Sequence, residues 1–589
     1  MLFKKSFANY SKKQKYLIIF FVLVILSLNV LSVYNKSLMW DEKCYIGSGK
    51  YLLKTGNFLN YNALSYHPPL SFYLNSVFLL PINFNEDAYK KTDCTEVSSI
   101  MIFRSGYSPF LIAFLARLPS ILISVILSFL VLKFAENYYG PRSGIFAMFL
   151  YTFSASILSN SNFALTDLLI TFTLFLTVFY FWKLMRNYSI KNIFLTGISF
   201  GLALLSKITA LILVPSIILL AFIEIYKTKG MKQKIIFKQL KILFIILVIG
   251  FAVVWAGYGF TLRPIKESMP QHYVERAYQE FDKLPNESVK KTAIGIFEKT
   301  YIPAPSYFFG LASVIYRSAQ QGREGYFFGK VIEKAPWYYL LVVFLLKTQL
   351  SLLLLIFMTI IFFRKIKANS HGKEHSLNEY YLIVPILILF FSFMLNKMVS
   401  GVGHILPAYP FLFVFVSKIV NYKSKIFKII IAFIIIHYFI SALLAFPNYY
   451  AYFNEFVGSK NGYKYLGDGN LDNGQSLPQL KEFIIENNIQ KINLSYLGSV
   501  DPKEYGISFD YMPSPYFQQW VPDYKPYIKP KQRQEDCKKR KGWIAVSASN
   551  YQGVYLLNKS CYSWLQDYEP VERISHVIFV YNISNENGK

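Results

Sequence analysis

YLIIFFVLVILSLNVLSVYNKSLMWDE, residues 16–42, decides how this chain is read. Residues 16–34 carry no charge over a length close to the roughly 20 residues of helix that cross a bilayer core. Asp41 and Glu42 follow where that span meets water, a placement that marks carboxylates as candidates for chemistry. In the same loop comes His67-Pro68-Pro69-Leu70, which is stiff because proline fixes its own φ and restricts the residue before it.

Working outward, the 589 residues are 54% hydrophobic, with a mean hydropathy of +0.32, values that belong to polytopic membrane proteins. Apolar runs recur at about 16–34, 118–136, 143–160, 163–182, 192–206, 208–226, 241–260, 338–363, 380–396, 405–420 and 428–446. We expect about eleven spans, with the pair around Lys207 short enough to be one broken helix. The first span has a basic start and no small-residue cleavage site, so it reads as a retained signal anchor.

The net charge of +28 is topological rather than a nucleic-acid face. Basic residues gather in alternate short loops: Lys4, Lys5, Lys12, Lys13 and Lys15; Lys183, Arg186 and Lys191; Lys227 to Lys238; Arg364, Lys365 and Lys367; Lys423 to Lys428. The positive-inside rule puts these in the cytoplasm, with the N-terminus inside and the C-terminal region outside a cytoplasmic membrane. No nucleic-acid partner is expected. The four cysteines all fall in expected outside segments, where Cys44–Cys94 and Cys537–Cys561 are plausible disulfides.

Three outside segments are expected. One, at about 35–117, carries amphipathic stretches that read as interfacial helices. Another, at about 261–336, is rich in Arg and Tyr, including Tyr301, Arg317 and Arg323, and reads as a cap over a cavity. The last, 447–589, reads as a small α/β domain apart from the transmembrane unit 1–446. It has an amphipathic helix at 477–487, strands at 491–497, 543–548 and 576–581, and an exposed loop at 522–541.

Asp41 is the candidate general base, with Glu42 beside it and Asp167 at the same membrane level opening a later span. Their grouping leaves a divalent cation possible, without a decided metal site. Arg117 sits at the start of a span, where a charge costs about 2.5–3.5 kcal/mol on insertion scales, and a guanidinium there suits a lipid phosphate. Lys207 is a second such cation. Lys347, in an apolar span, and His404, in a short outside turn, join His67 and Tyr301 as substrate-binding candidates. No Walker loop, dinucleotide fingerprint, zinc-spaced set or nucleophile elbow occurs, so a sugar donor outside would have to be activated on a lipid.

These motifs, in this order, resemble the GT-C superfamily of membrane glycosyltransferases, specifically its protein O-mannosyltransferase-like branch, which includes the aminoarabinose transferase of lipid A. The matching stretches are Asp41-Glu42, His67 to Leu70, Ala116 to Ser120, Thr166-Asp167 and Gly201 to Lys207. Gly403 to Pro410, Tyr452 to Glu455 and Asn470 to Gln475 resemble a bacterial subgroup that uses a phospholipid carrier. Gly403 stands where that subgroup usually has Arg, and Asn473 where it usually has Trp. The resemblance implies an inverting transfer from a polyprenyl-phosphate sugar to a hydroxyl of a protein, glycan or lipid. Arg117 and Lys207 would hold the phosphate, Asp41 would deprotonate the acceptor, and Glu42, His67 and Asp167 would position the groups. An envelope-lipid-modifying transferase and a flippase of lipid-linked sugars are the alternative readings.

Overall fold

The computed structural model describes residues 10–58, 67–84, 94–227, 233–269, 271–284, 286–318, 322–363, 365–366, 379–515 and 537–583. Lys4, Lys5, Lys229, Lys232, Arg364, Lys367 and most of the loop expected at 522–541 lie outside these residues. The molecule is mostly helical, a polytopic membrane fold with a small sheet near its C-terminal end.

Among the described residues, six helices are long and apolar enough to cross a membrane: Lys12–Tyr34, Pro109–Tyr139, Asp167–Arg186, Ile208–Lys227, Gln233–Gly257 and Lys425–Leu444. A pair bent by 109°, Tyr339–Lys347 and Leu350–Ile361, makes up to seven. Shorter apolar helices, Ile190–Ser206, Tyr380–Met394 and Ala408–Asn421, occupy three more of the eleven expected runs. The run expected at 143–160 is split into Pro141–Thr152 and Ala155–Ser161. Ser154 starts the second piece by accepting from the Ile157 N–H, and Gln349 accepts from the Ala155 N–H at 3.0 Å. A break inside the protein is tolerated because its backbone groups are repaired in this way.

Helices Ile190–Ser206 and Gln233–Gly257 cross with backbones in contact. A Cβ on Gly201 would lie 2.7 Å from the Gly250 carbonyl oxygen, so small residues are required there. The segment expected outside at about 35–117 forms helices Trp40–Thr55, Leu70–Val77 and Cys94–Phe103, with Cys44 bonded to Cys94. Helix Trp40–Thr55 begins with Met39 extended and its N–H donated back to Glu42, the reach of an N3 glutamate. It ends at Gly56, whose φ of +65° supplies the left-handed C-terminal cap.

Among the described residues the C-terminal sheet has five strands in the order Phe509–Tyr511, Ile492–Ser495, Gly542–Ser547, Ile578–Ile583, Glu572–Ile574. The first three run parallel, and Ile578–Ile583 runs antiparallel to both its neighbours. Helix Leu477–Glu486 precedes it, and Cys537 is bonded to Cys561. Most buried apolar residues form a core that continues from the apolar helices into this sheet.

Polar contacts tie the two parts together beneath Asp41. The Trp40 N–H donates to the Asn473 carbonyl at 3.0 Å, the Lys43 ammonium to the Ser499 carbonyl at 2.7 Å, and the Ser499 hydroxyl to the Trp40 carbonyl at 3.0 Å. Asn473, one of the two departures from the subgroup pattern, thus acts through its backbone.

Candidate active site

Asp167 opens helix Asp167–Arg186, and Lys183 and Arg186 close it. Helix Ile190–Ser206 returns, leaving Lys207 extended at its end. The Lys207 ammonium meets the Asp167 carboxylate at 2.6 Å, both side chains mostly buried. This pair therefore marks the end of the helices opposite the basic turn at 183–191. The carboxylate sits in the first helical turn, where backbone N–H dipoles favour negative charge.

Gly403 packs on the other side of that carboxylate. A Cβ there would lie 2.7 Å from Asp167 Cγ, so a side chain larger than hydrogen would have to displace it. His404, next in sequence, lies edge-on to Phe393 and feels the charges of Lys207, Asp167 and Arg323. Burial pulls its pKa down to about 3, with Lys207 acting in the same direction. His67 stands edge-on to Tyr45, with ring centroids 5.7 Å apart. Burial pulls its pKa to about 4, aided by Lys207 and Arg317, so the ring is neutral at neutral pH and can both donate and accept.

Asp41 completes the group. Its side chain is open to solvent although protein surrounds it. Burial raises its pKa above the ordinary carboxylate value. Arg323 opposes that shift, Asp468 and Asp167 reinforce it, and Lys207 opposes it. Beside this group lies a cavity of about 360 Å³ lined by Tyr273, Arg276, Tyr316, Arg317, Arg323 and Met398.

Glu42 and Arg117 face each other. Arg117 Nε reaches Glu42 Oε1 at 2.7 Å and Nη2 reaches Oε2 at 2.8 Å, both side chains with no exposure. The other guanidinium donors go to the Lys36 and Ser37 carbonyls, at 3.2 and 2.9 Å. Glu42 also accepts from the Ala164 N–H at 2.9 Å and the Met39 N–H at 3.1 Å. The expected roles, catalysis for Glu42 and phosphate binding for Arg117, give way to anchoring. The pair locks the start of helix Trp40–Thr55 to helix Pro109–Tyr139 and to the turn before Asp167.

Lys347 is likewise turned inward, donating to the Tyr450 carbonyl at 2.9 Å and the Asn470 carbonyl at 2.6 Å. It supports the 109° bend instead of facing a substrate. Tyr301 is 63% exposed on the short strand pair with Leu262–Pro264, apart from the charge network. Among the described residues no group of three or more His, Cys, Asp or Glu is placed to hold a metal ion. The members that the sequence reading did not single out as site residues are Tyr45, Arg323 and Asp468. Arg323 stood only among the polar residues of the second outside segment, and no local pattern marks Asp468.

Residues 112–255 match the model of the family described as dolichyl-phosphate-mannose-protein mannosyltransferase. None of the curated proteins compared matches the chain. Among solved structures, ArnT from Cupriavidus metallidurans bound to undecaprenyl phosphate is 11% identical, over 97% of this chain and 99% of that one, with a TM-score of 0.45. The S. cerevisiae protein O-mannosyltransferase Pmt1–Pmt2 complex bound to the sugar donor is 10% identical, over 74% and 90%, with a TM-score of 0.48. AglB from Archaeoglobus fulgidus, in complex with an inhibitory peptide and a dolichol-phosphate, is 15% identical, over 74% and 56%, with a TM-score of 0.44. The family match spans the helices that carry Arg117, Asp167 and Lys207.

Proposed function

We propose that the protein is an inverting glycosyltransferase that moves a sugar from a polyprenyl-phosphate donor to an acceptor hydroxyl. The acceptor belongs to a protein, glycan or lipid on the outer side of the cytoplasmic membrane, with the N-terminus in the cytoplasm. The observation that carries the reading is the meeting of Asp41, His67, Asp167, Lys207 and His404 at the end of the helices opposite the basic 183–191 turn.

In this reading the donor's isoprenoid chain lies in the bilayer and its phosphate approaches Lys207. Two of the three ammonium protons remain after the bond to Asp167. The acceptor oxygen attacks the anomeric carbon as the carbon–oxygen bond to phosphate breaks, and its proton passes to Asp41. The polyprenyl phosphate leaves as an anion opposite Lys207, a preorganised cation of the kind that stabilises developing charge. A raised Asp41 pKa makes the carboxylate a better proton acceptor than an ordinary aspartate. Neutral His67 and His404 can hold sugar or acceptor hydroxyls, and the adjoining cavity offers room for a polar headgroup.

The test is transfer of radiolabelled sugar from undecaprenyl-phosphate mannose, and from a panel of related donors, by membranes carrying the wild type or Asp41→Asn. The reading expects label in an acceptor fraction with the wild type only. Equal transfer by both proteins removes Asp41 as the base, and lipid movement without transfer supports a flippase.

A further inference from the structure

We propose that the protein holds a glycerophospholipid of the outer leaflet by its phosphate, in a polar cavity at the far end of helix Trp40–Thr55 from Asp41, with Arg263 as the charge that binds it. The site is separate from the group of carboxylates and histidines described above, and it does not depend on the glycosyl-transfer reading.

The cavity has a volume of about 310 Å³ and lies where the end of helix Trp40–Thr55 meets residues 261–268 and the start of helix Pro305–Tyr316. Among the described residues its lining combines one cation, Arg263, with the hydroxyl residues Thr55, Thr261, Ser268 and Ser306, and holds no acid. Gly56 leaves the space open, since nothing lies within 4 Å of where its Cβ would stand. Arg104, Arg117 and Arg323 are each paired with a carboxylate, whereas Arg263 is exposed and has neither an ion pair nor a hydrogen bond through its guanidinium among the described residues.

Arg263 also sets the sign of the cavity. Thr55 stands at the C-terminal, negative end of one helix and Ser306 in the N-terminal, positive turn of another, so the two dipoles oppose each other. A guanidinium fork matches two phosphate oxygens, and neighbouring hydroxyls can donate to the rest.

The surroundings of the cavity give the ligand its tails. Helix Gln233–Gly257 is long and apolar enough to cross a membrane; Lys234, Lys238 and Lys241 lie near its start and Trp255 near its end. The Trp255 indole N–H donates to the Thr261 carbonyl at 2.8 Å, the placement of an interfacial tryptophan with its polar edge satisfied. From Phe260 to Arg263 the chain alternates: Thr261 and Arg263 line the cavity, while Phe260 and Leu262 are 62% and 50% exposed. Phe308, also exposed, packs against Phe251 of the spanning helix with ring centroids 6.2 Å apart. A cationic cavity edged by exposed apolar side chains at this level suits a phosphate that carries acyl chains.

Asp41 and Thr55 are fourteen residues apart on one helix, about 20 Å at 1.5 Å per residue, too far for one phosphate to serve both places. The lipid instead joins the end of the helix that begins beside Asp41 to the 261–268 and 305–306 stretches, and its binding stabilises that arrangement by mass action.

The experiment titrates purified full-length protein in a neutral detergent with dioleoyl phosphatidylglycerol. Bound lipid is counted by native mass spectrometry, and melting temperature is followed on the same samples. Wild type should bind one lipid with an affinity that Arg263→Gln weakens about tenfold, the worth of a hydrogen bond to a charged group. Arg263→Lys should keep part of the affinity, because an ammonium lacks the fork. Ser306→Ala keeps the charge and should weaken binding by less; it decides alone should Arg263→Gln melt below wild type without lipid. Lys283→Gln removes an exposed charge from the same segment and should bind as wild type does. Inorganic phosphate should raise the melting temperature less than the lipid; equal protection would mean a site for a free anion and overturn the proposal. Undecaprenyl phosphate should bind wild type and Arg263→Gln alike, and a tenfold loss there would make the cavity a carrier site, which overturns it too. Equal binding of phosphatidylglycerol by wild type and the folded variants, or an equal loss in Lys283→Gln, is likewise fatal to it.

Discussion

Asp41 and Glu42 are adjacent in sequence, and the structure gives them opposite fates, which makes their substitution a decisive comparison. Glu42 is sealed from solvent and its carboxylate takes four hydrogen bonds: two from Arg117 and one each from the Ala164 and Met39 N–H groups. Glu42→Ala strands a buried guanidinium, and breaking a buried pair by removing one partner costs about 3–5 kcal/mol. Each orphaned N–H adds roughly 1–3 kcal/mol where water cannot reach it. We therefore expect Glu42→Ala to lower the melting temperature in detergent by many degrees and to lower the yield of folded protein. Asp41→Asn has the other sign. Burial raises the Asp41 pKa, so the charged form is the less favoured one in the folded protein, and its neutral isostere should melt at or above wild type. Activity should nevertheless fall by about 10²–10⁴, the usual worth of a general base. The assays are thermal unfolding and sugar transfer on the same preparations. A destabilised Asp41→Asn protein, or a Glu42→Ala protein as stable as wild type, would refute the division of roles.

Because Asp41 must be ionised to accept a proton and its pKa is raised, transfer should fall as pH drops through a midpoint above the ordinary carboxylate value. A pH–rate profile of kcat that stays flat into the ordinary carboxylate range would contradict this. Lys207→Met removes the cation opposite the leaving phosphate and should cost about 10²-fold in kcat, measured with saturating donor. Gly403→Ala pushes a methyl group against the Asp167 carboxylate and should cost on the order of 10²-fold in activity with little change in melting temperature, the penalty of a displacement near 1 Å.

Much of the architecture was legible in the sequence because a bilayer admits few solutions. Apolar runs of span length and alternating basic loops are coarse signals, and they locate the helix ends where Asp41, Asp167 and Lys207 gather. The same physics misjudged Glu42, Arg117 and Lys347. Insertion cost says that a charge near a span needs a partner; it does not say whether that partner is a substrate, another side chain or a backbone carbonyl. Each of these three found its partner inside the protein. The run at 143–160 reads as one helix by hydropathy, yet Ser154 and Gln349 repair a break in it, and that repair depends on a residue from a distant helix. Arg323 and Asp468 could not be paired from the sequence, since only the packing of the C-terminal region on the 261–336 segment brings them together.

The most direct measurement is a cryo-electron microscopy reconstruction of the full-length Asp41→Asn protein with undecaprenyl-phosphate mannose bound. The account predicts the donor phosphate against Lys207 and the anomeric carbon open to the side chain at position 41. A donor headgroup held at the opposite end of the helices, near Lys183 and Arg186, would contradict it.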